Sequence, residues 1–238
     1  MRTSLWSILL LLAGACQVDS YSGRPPETQP SGALAAQIQA LAQRMHARYA
    51  GARRLEEAIA RSDLDRTRVE AHAISLLDEP DVLPVWRPYI DAVTDAARQI
   101  EAAGDVRAAT GLFALLGVQC ARCHDAAGAK IELVAPAGAG TGRLGMAEHQ
   151  QAALNMWDGL VASSDAHWIA GAEALTAVPL TMVARAATPG FEEDVDDVAK
   201  VRLYARRALE AKGRTARAEV FGALLGTCAH CHSVLRDR

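Results

Sequence analysis

Two short segments of this 238-residue chain carry reactive side chains in the same order and at the same spacing. One runs from Cys120 to His124 and the other from Cys228 to His232, and both follow the pattern C-x-x-C-H. This pattern is the attachment signature of c-type haem, in which two thiols bond to the porphyrin and the histidine binds the iron. Because positions i, i+3 and i+4 share one face of a helix, all three side chains can reach one macrocycle. The sequence therefore predicts two covalently bound haem c groups.

The position of each residue in the pattern assigns its role. The expected thioether residues are Cys120, Cys123, Cys228 and Cys231, and the expected proximal iron ligands are His124 and His232. The chain has five cysteines, so these motifs leave only Cys16, near the N-terminus.

Three other uses of paired cysteines explain the sequence less well. A four-cysteine zinc site usually holds its pairs about 15–20 residues apart, and zinc gives no reason for a histidine after both pairs. A thioredoxin-like redox pair belongs to a βαβ setting, and no strand pattern surrounds either motif. A disulfide within each pair explains neither the duplication nor the histidines.

The composition favours helices and excludes some functions. Half of the chain is apolar, it is rich in alanine, and aromatic residues make up only 5%, which favours α-helices over strands. The net charge of −3 gives no support for nucleic-acid binding. No apolar run is long enough for a membrane-spanning anchor of the mature protein.

The N-terminus predicts export. An apolar stretch from Leu5 to Leu12 follows Arg2 and has the length of the h-region of a signal peptide. The segment from Ala13 to Cys16 resembles a lipobox, so we expect a lipid on Cys16, although an ordinary signal peptide cut before an incidental cysteine is the alternative. In lipoproteins of this type, a residue other than aspartate after the cysteine (here Gln17) implies the outer membrane. Export agrees with c-type haem, which is attached outside the cytoplasm.

Apolar residues at spacings of three and four predict amphipathic helices through most of the chain. In the first half, the predicted helices are one with an apolar stripe from Ile38 to Ile59, one from about Leu64 to Leu77, one from about Tyr89 to Ala103, and one that carries Leu112, Leu116, Cys120 and His124. Asp105 is the expected N-cap of the last of these.

The second half repeats this plan. Ser164-Asp165 matches Ser62-Asp63 at an offset of 102 residues, whereas the two motifs match at an offset of 108, which predicts six extra residues near Pro189. We therefore expect an all-α fold of two tandem four-helix-bundle-like repeats, each with C-x-x-C-H on its last helix. The expected partition is a signal peptide with a lipobox (1–16), a flexible tether (17–32), a first haem domain (33–124), a linker (125–145) and a second haem domain (146–238).

A motif on the fourth helix resembles the class II cytochromes c, namely cytochrome c prime and its low-spin relatives, which are four-helix bundles with one haem near the C-terminus of the last helix. The segment from Cys228 to Arg236 is similar to the closing segment of that family, whereas the first half departs from it directly after His124. The resemblance implies a dihaem c-type cytochrome. In the low-spin relatives the sixth iron ligand is a methionine on the first helix, and in cytochrome c prime that position is empty.

The sixth ligand decides the chemistry, because a filled position favours electron transfer and an open one binds small ligands. His46 and His149 are the candidate distal ligands, each early on the first helix of its half. Met45 and Met146 are the alternatives, and Met156 also lies on that helix in the second half. An exposed position for His46 and a core position for the methionines are the competing interpretations. His72 and His167 are expected to be structural or exposed, whereas Trp157 and Trp168 are expected to be core aromatics.

We therefore expect an exported dihaem cytochrome c, an electron carrier rather than an enzyme, that works between periplasmic redox proteins. The alternative is a haem enzyme or gas-binding protein, peroxidase-like or cytochrome c prime-like, with an open axial position. A structural lipoprotein that binds zinc is a third. The acidic run from Glu192 to Asp197 is a candidate docking site for a basic partner, although acidic residues also favour a helix N-terminus by themselves.

Overall fold

The structure, a computed structural model, describes residues 32–77, 79–80, 82–136, 146–177 and 192–236. Within these ranges it contains eight helices and no strand, which confirms the predicted all-α class. The helices are α1 (Gly32–Ala60), α2 (Leu64–Ser75), α3 (Arg87–Glu101), α4 (Val106–Ala127), α5 (Met146–Val161), α6 (Asp165–Thr176), α7 (Glu192–Glu210) and α8 (Gly213–Arg236).

Each helix packs on its neighbour in the chain, first from α1 to α4 and again from α5 to α8. The most extensive contact between these two series joins α4 to α8, the helices that carry the C-x-x-C-H segments. In addition, α1 reaches α8 and α5 reaches α4. The N-terminal half (residues 32–136) and the C-terminal half (residues 146–236) are therefore packed together.

One apolar core spans both halves. Phe113 of α4 stacks on Trp157 of α5 with ring centroids 4.3 Å apart, and Phe221 of α8 lies 6.1 Å from the same tryptophan. All three side chains are fully buried. Trp168 is also buried, and its Nε1 donates a hydrogen bond to the carbonyl oxygen of Ala208 at 2.8 Å. The two tryptophans are core aromatics, as expected.

The helices α1 and α5 end in the same way. Ser62 and Ser163, which follow them, have φ values of 57° and 54°, in the left-handed region that costs a residue with a Cβ about 1–2 kcal/mol. The next amide in each case donates back across the turn, from Asp63 to Ala58 and from Ser164 to Gly159, both at 2.9 Å. This is the Schellman arrangement that terminates many helices.

The caps correct the expected register between the halves. The N-cap side chains are Asp63 for α2 and Ser164 for α6, so equivalent positions differ by 101 residues, not 102. The sequence match aligns Ser62 with Ser164, but the N-cap role can be filled by either aspartate or serine. With the motifs still 108 apart, the second half has seven extra residues between the end of α6 and its motif, not six.

The other predicted boundaries hold to within a few residues. Asp105 is the N-cap of α4, as expected, and its side chain accepts a hydrogen bond from Ala108 N at 2.7 Å. The same helix runs to Ala127, three residues into the predicted linker, and Gly128 closes it with φ 61°. The partition into two haem domains stays a prediction, and the core described above is common to both.

Several predicted features lie outside the described residues. They are the signal peptide (1–16) with Cys16, the tether up to residue 31, and the break at Pro189. Among the helices that the structure does describe, none has the length and apolar character needed to cross a membrane.

The pair α5 and α6 depends on close backbone approach. A Cβ added at Gly171 would lie 2.4 Å from the carbonyl oxygen of Ala152, and one at Gly159 would lie 2.5 Å from the backbone nitrogen of Trp168. No atom lies within 4 Å of a Cβ placed at Gly111, on α4.

We expect Gly171→Ala to lower the free energy of unfolding by about 1–3 kcal/mol, because α5 and α6 would have to separate. The matched control, Gly111→Ala, should raise it by about 0.5–1 kcal/mol, because alanine loses less backbone entropy in a helix. Urea unfolding followed by circular dichroism measures both. Equal effects of the two substitutions would contradict this packing.

Candidate haem-binding sites

Both C-x-x-C-H segments lie in the last part of a long helix, α4 or α8, and their four cysteines form no disulfide. Burial raises the pKa of the Cys120 and Cys228 thiols to about 12. A redox-active C-x-x-C pair instead lowers the pKa of its reactive cysteine. The thioredoxin-like alternative therefore has no support from the surroundings of these thiols.

The two motif histidines make equivalent hydrogen bonds. Nδ1 of His124 lies 3.1 Å from the carbonyl oxygen of Val161, and Nδ1 of His232 lies 2.6 Å from that of Ala60. A carbonyl oxygen can only accept, so Nδ1 carries the proton and the lone pair of the neutral ring is on Nε2. Histidines that bind metals usually donate their second ring N–H to a carbonyl or carboxylate in this way. In both rings the Nε2 lone pair is therefore the one left for a metal ion.

The ends of α1 and α5 explain why these carbonyl oxygens are free to accept. The last carbonyls of a helix have no partner within it. At the end of α1, those of Glu57, Ala58 and Ile59 accept the amides of residues 61, 63 and 62, respectively. The carbonyl oxygen of Ala60 accepts none of these amides, and it accepts a hydrogen bond from His232 Nδ1 instead. The same turn at the end of α5 leaves the carbonyl of Val161 to His124.

Each of these contacts joins the two halves. His232 belongs to α8 but is held by α1, and His124 belongs to α4 but is held by α5. Neither motif histidine is therefore oriented by its own half alone. The sequence gives no signal for this exchange, because it depends on how α4 and α8 pack together.

A buried ionic cluster lies beside the first motif. Arg48 of α1 is 5% exposed and Glu79 is 1% exposed, and Arg48 Nη1 lies 3.2 Å from Glu79 Oε1. Arg48 also donates to the carbonyl oxygen of Leu77. Burial lowers the pKa of Arg48, against the charges of Glu79 and of the Cys120 and Cys123 thiols, which are near enough to raise it. The guanidinium thus lies within electrostatic range of both thiols of the first motif.

Sequence reasoning missed this arginine, although a signal was present. Arg48 lies three residues after Met45 and four before Ala52, on the predicted apolar stripe of α1. A charged side chain at a buried helix position needs a partner or a ligand.

A different set of polar residues lies at the second motif. Glu56 of α1 is 4% exposed and close enough to Cys228 to influence the pKa of its thiol. Asp197 of α7 is 2% exposed, and its carboxylate lies 2.7 Å from His230 Nδ1 and 3.0 Å from Lys200 Nζ. The acidic run predicted as a docking site thus has one buried, paired member, and the side chains of residues 192–195 lie outside the described part.

The candidate distal ligands are placed differently from one another. His46 is exposed, whereas Met45 is half-buried. His149 is partly buried, and its Nε2 is enclosed with no hydrogen-bond partner among the described residues. Met146 begins α5, but its side chain lies outside the described part, and Met156 is fully buried in the core. At the offset of 101 residues that the caps define, the position equivalent to His46 is Ala147. The structure therefore does not place His46 and His149 at equivalent positions.

The remaining histidines are structural, as expected. His72 Nδ1 lies 3.0 Å from Glu101 Oε1, and His167 bridges Ser164 Oγ at 3.0 Å and the carbonyl oxygen of Val134 at 2.8 Å. No group of three or more His, Cys, Asp or Glu side chains in the described ranges is arranged to hold a metal ion. A haem needs no such group, because the porphyrin supplies four of the iron ligands.

A groove of about 1140 Å³ runs between α4, α7 and α8, and Tyr204, Asp197 and His230 are among its lining residues. The four motif cysteines are not among them. The groove therefore lies beside the second motif without enclosing its thiols.

Glu56 predicts a pH dependence of stability. Burial raises the pKa of its carboxyl from 4.5 to about 8, and Asp158 adds to the shift while Arg53 opposes it. The folded protein keeps this proton between about pH 4.5 and 8, whereas the unfolded chain releases it. Stability therefore falls with rising pH in this window, by up to about 1.4 kcal/mol per pH unit.

We expect Glu56→Gln to remove this fall, so that the variant gains stability over the natural protein as the pH rises from 5 to 8. Urea unfolding of the matured protein at several pH values measures it. Glu57→Gln, at the adjacent and less buried position, is the control for the loss of one carboxylate. An unchanged slope in Glu56→Gln would show that Glu56 does not hold the proton.

Comparison of the chain with protein-family models, with curated proteins and with solved structures finds no match, so its function has to be argued from these sites.

Proposed function

We propose that the chain is an exported dihaem cytochrome c that transfers electrons between periplasmic redox partners. The observation that carries the proposal is the matched pair of contacts from His124 to Val161 and from His232 to Ala60. Each motif histidine has Nδ1 engaged and Nε2 directed elsewhere, which is how a protein prepares an imidazole to bind iron. A disulfide or a solvent-exposed cysteine pair would need neither contact.

The residues present fit a haem at each motif. A bound haem would supply an iron that gains and loses one electron. Cys120 and Cys123, or Cys228 and Cys231, would anchor the macrocycle, and the motif histidine would bind its iron. The helix ends that hold the histidines belong to a packed core, so the rings have little freedom to reorient when the charge on the iron changes. Limited rearrangement favours electron transfer over bond-making chemistry.

We further propose that the chain arose as a tandem duplication of a unit similar to the class II cytochromes c. The identical capped turns after α1 and α5 support this, as do the equivalent positions of Phe113 and Phe221, seven residues before the first cysteine of each motif. The contacts between halves modify the simple picture of two separate four-helix bundles. Each proposed haem site takes a part from the other half.

The proposed location is the periplasm, with a lipid on Cys16 as an outer-membrane anchor. Support comes from the sequence of the leader alone. The proposed partners are periplasmic redox proteins, and the net charge of −3 gives no reason to include nucleic acid.

Production of the protein together with haem-maturation machinery tests the proposal. Two covalent haems per chain are expected, measured by mass spectrometry of the intact protein and by the pyridine haemochrome spectrum. The double variants Cys120→Ser/Cys123→Ser and Cys228→Ser/Cys231→Ser should each keep one haem, because each pair anchors its own macrocycle. Cys16→Ser should keep both haems and lose membrane attachment. A colourless protein would refute the proposal.

A further inference from the structure

We propose that the two haem sites differ in the group that faces the sixth position of the iron: His149 binds the iron of the second site, whereas Arg48 stands at the equivalent place in the first and leaves that iron open to small ligands. This inference rests on the proposed function and adds a chemical difference between the two sites.

The first step is the equivalence of the two positions. Arg48 lies twelve residues before Ala60, and His149 lies twelve residues before Val161. Ala60 and Val161 are the helix ends whose carbonyl oxygens hold the motif histidines. Since both helices end in the same capped turn, residues twelve positions earlier occupy the same place on each helix.

The second step is the location of that place. Arg48 lies within electrostatic range of Cys120 and Cys123, the thiols of its own half. Helix α5 contacts α8 as α1 contacts α4. The equivalent residue, His149, is therefore expected beside the second motif. Over twelve residues a helix rises about 18 Å, so α1 extends from the thiols of the first motif to the histidine of the second.

The third step is the chemistry of the two side chains. Nε2 of His149 is enclosed without a hydrogen-bond partner in the part of the chain that the structure describes, which is costly unless a ligand fills the place. A guanidinium stays protonated and has no lone pair to offer, so Arg48 cannot be an iron ligand.

His46 does not supply the sixth iron ligand that Arg48 cannot supply at the first site. It is exposed, and two residues on a helix are separated by about 200° around the axis, so it points away from the face that carries Arg48. Nε of Arg48 is itself buried without a partner among the described residues, while its other nitrogens are held by Glu79 and Leu77. A guanidinium over an open iron favours small anionic ligands, because it stabilises their charge.

Carbon monoxide and azide are suitable probes of the matured full-length protein. We expect the reduced protein to bind one carbon monoxide per two haems. His149→Ala should bind two, and Arg48→His should bind none, because a second imidazole would close the first site. His72→Ala, a substitution of an exposed histidine on α2, should still bind one. In the oxidised protein, Arg48→Gln should weaken azide binding at least tenfold and leave carbon monoxide binding to the reduced form unchanged.

The outcomes separate this inference from the proposed function. Absence of covalent haem refutes both. Two covalent haems that both bind carbon monoxide, or that both exclude it, overturn the inference and leave the proposed function standing. So does an unchanged stoichiometry in His149→Ala, or a gain of binding in Met45→Ala or His46→Ala. The natural protein and His149→Ala decide the matter even where a substitution of the buried Arg48 prevents folding.

Discussion

The hydrogen bond between a motif histidine and the last carbonyl of a helix from the other half is the contact on which the proposed sites depend. It exists because the Schellman turns after α1 and α5 use the carbonyls before Ala60 and Val161 and leave those two oxygens unpaired. A buried carbonyl without a partner is costly, and so is an imidazole free to rotate beneath an iron atom. One contact removes both costs, and it does so only when α4 and α8 are packed together.

Three buried ionisable groups lie on α1 or against it. Arg48 lies beside the first motif and pairs with Glu79, while Glu56 lies near the second. Burial of such groups reduces stability unless they are paired or neutral, and here Arg48 is paired with Glu79 while burial favours the protonated form of Glu56.

Much of the fold was predictable because local rules decide it. The periodicity of apolar residues predicts the helices, and Asp105 and the glycine-rich stretch after Ala127 mark their ends correctly to within a few residues. The register between the halves was wrong by one residue, because Asp63 and Ser164 fill the same capping role with different side chains. Matching letters misses an equivalence that the hydrogen bonds show. Matching letters likewise suggests that His46 and His149 are equivalent, whereas the capped helix ends make Arg48 the equivalent of His149.

By itself the sequence determined the helical class, and it predicts haem attachment at both motifs and export. Those conclusions depend on residue types at short spacings, which the chain alone sets. Only the tertiary structure decided which carbonyl holds each motif histidine, and that Arg48 is buried within electrostatic range of the first pair of thiols whereas His46 is exposed. Helical periodicity tells which residues share a face, but the partner of that face depends on packing between segments more than a hundred residues apart.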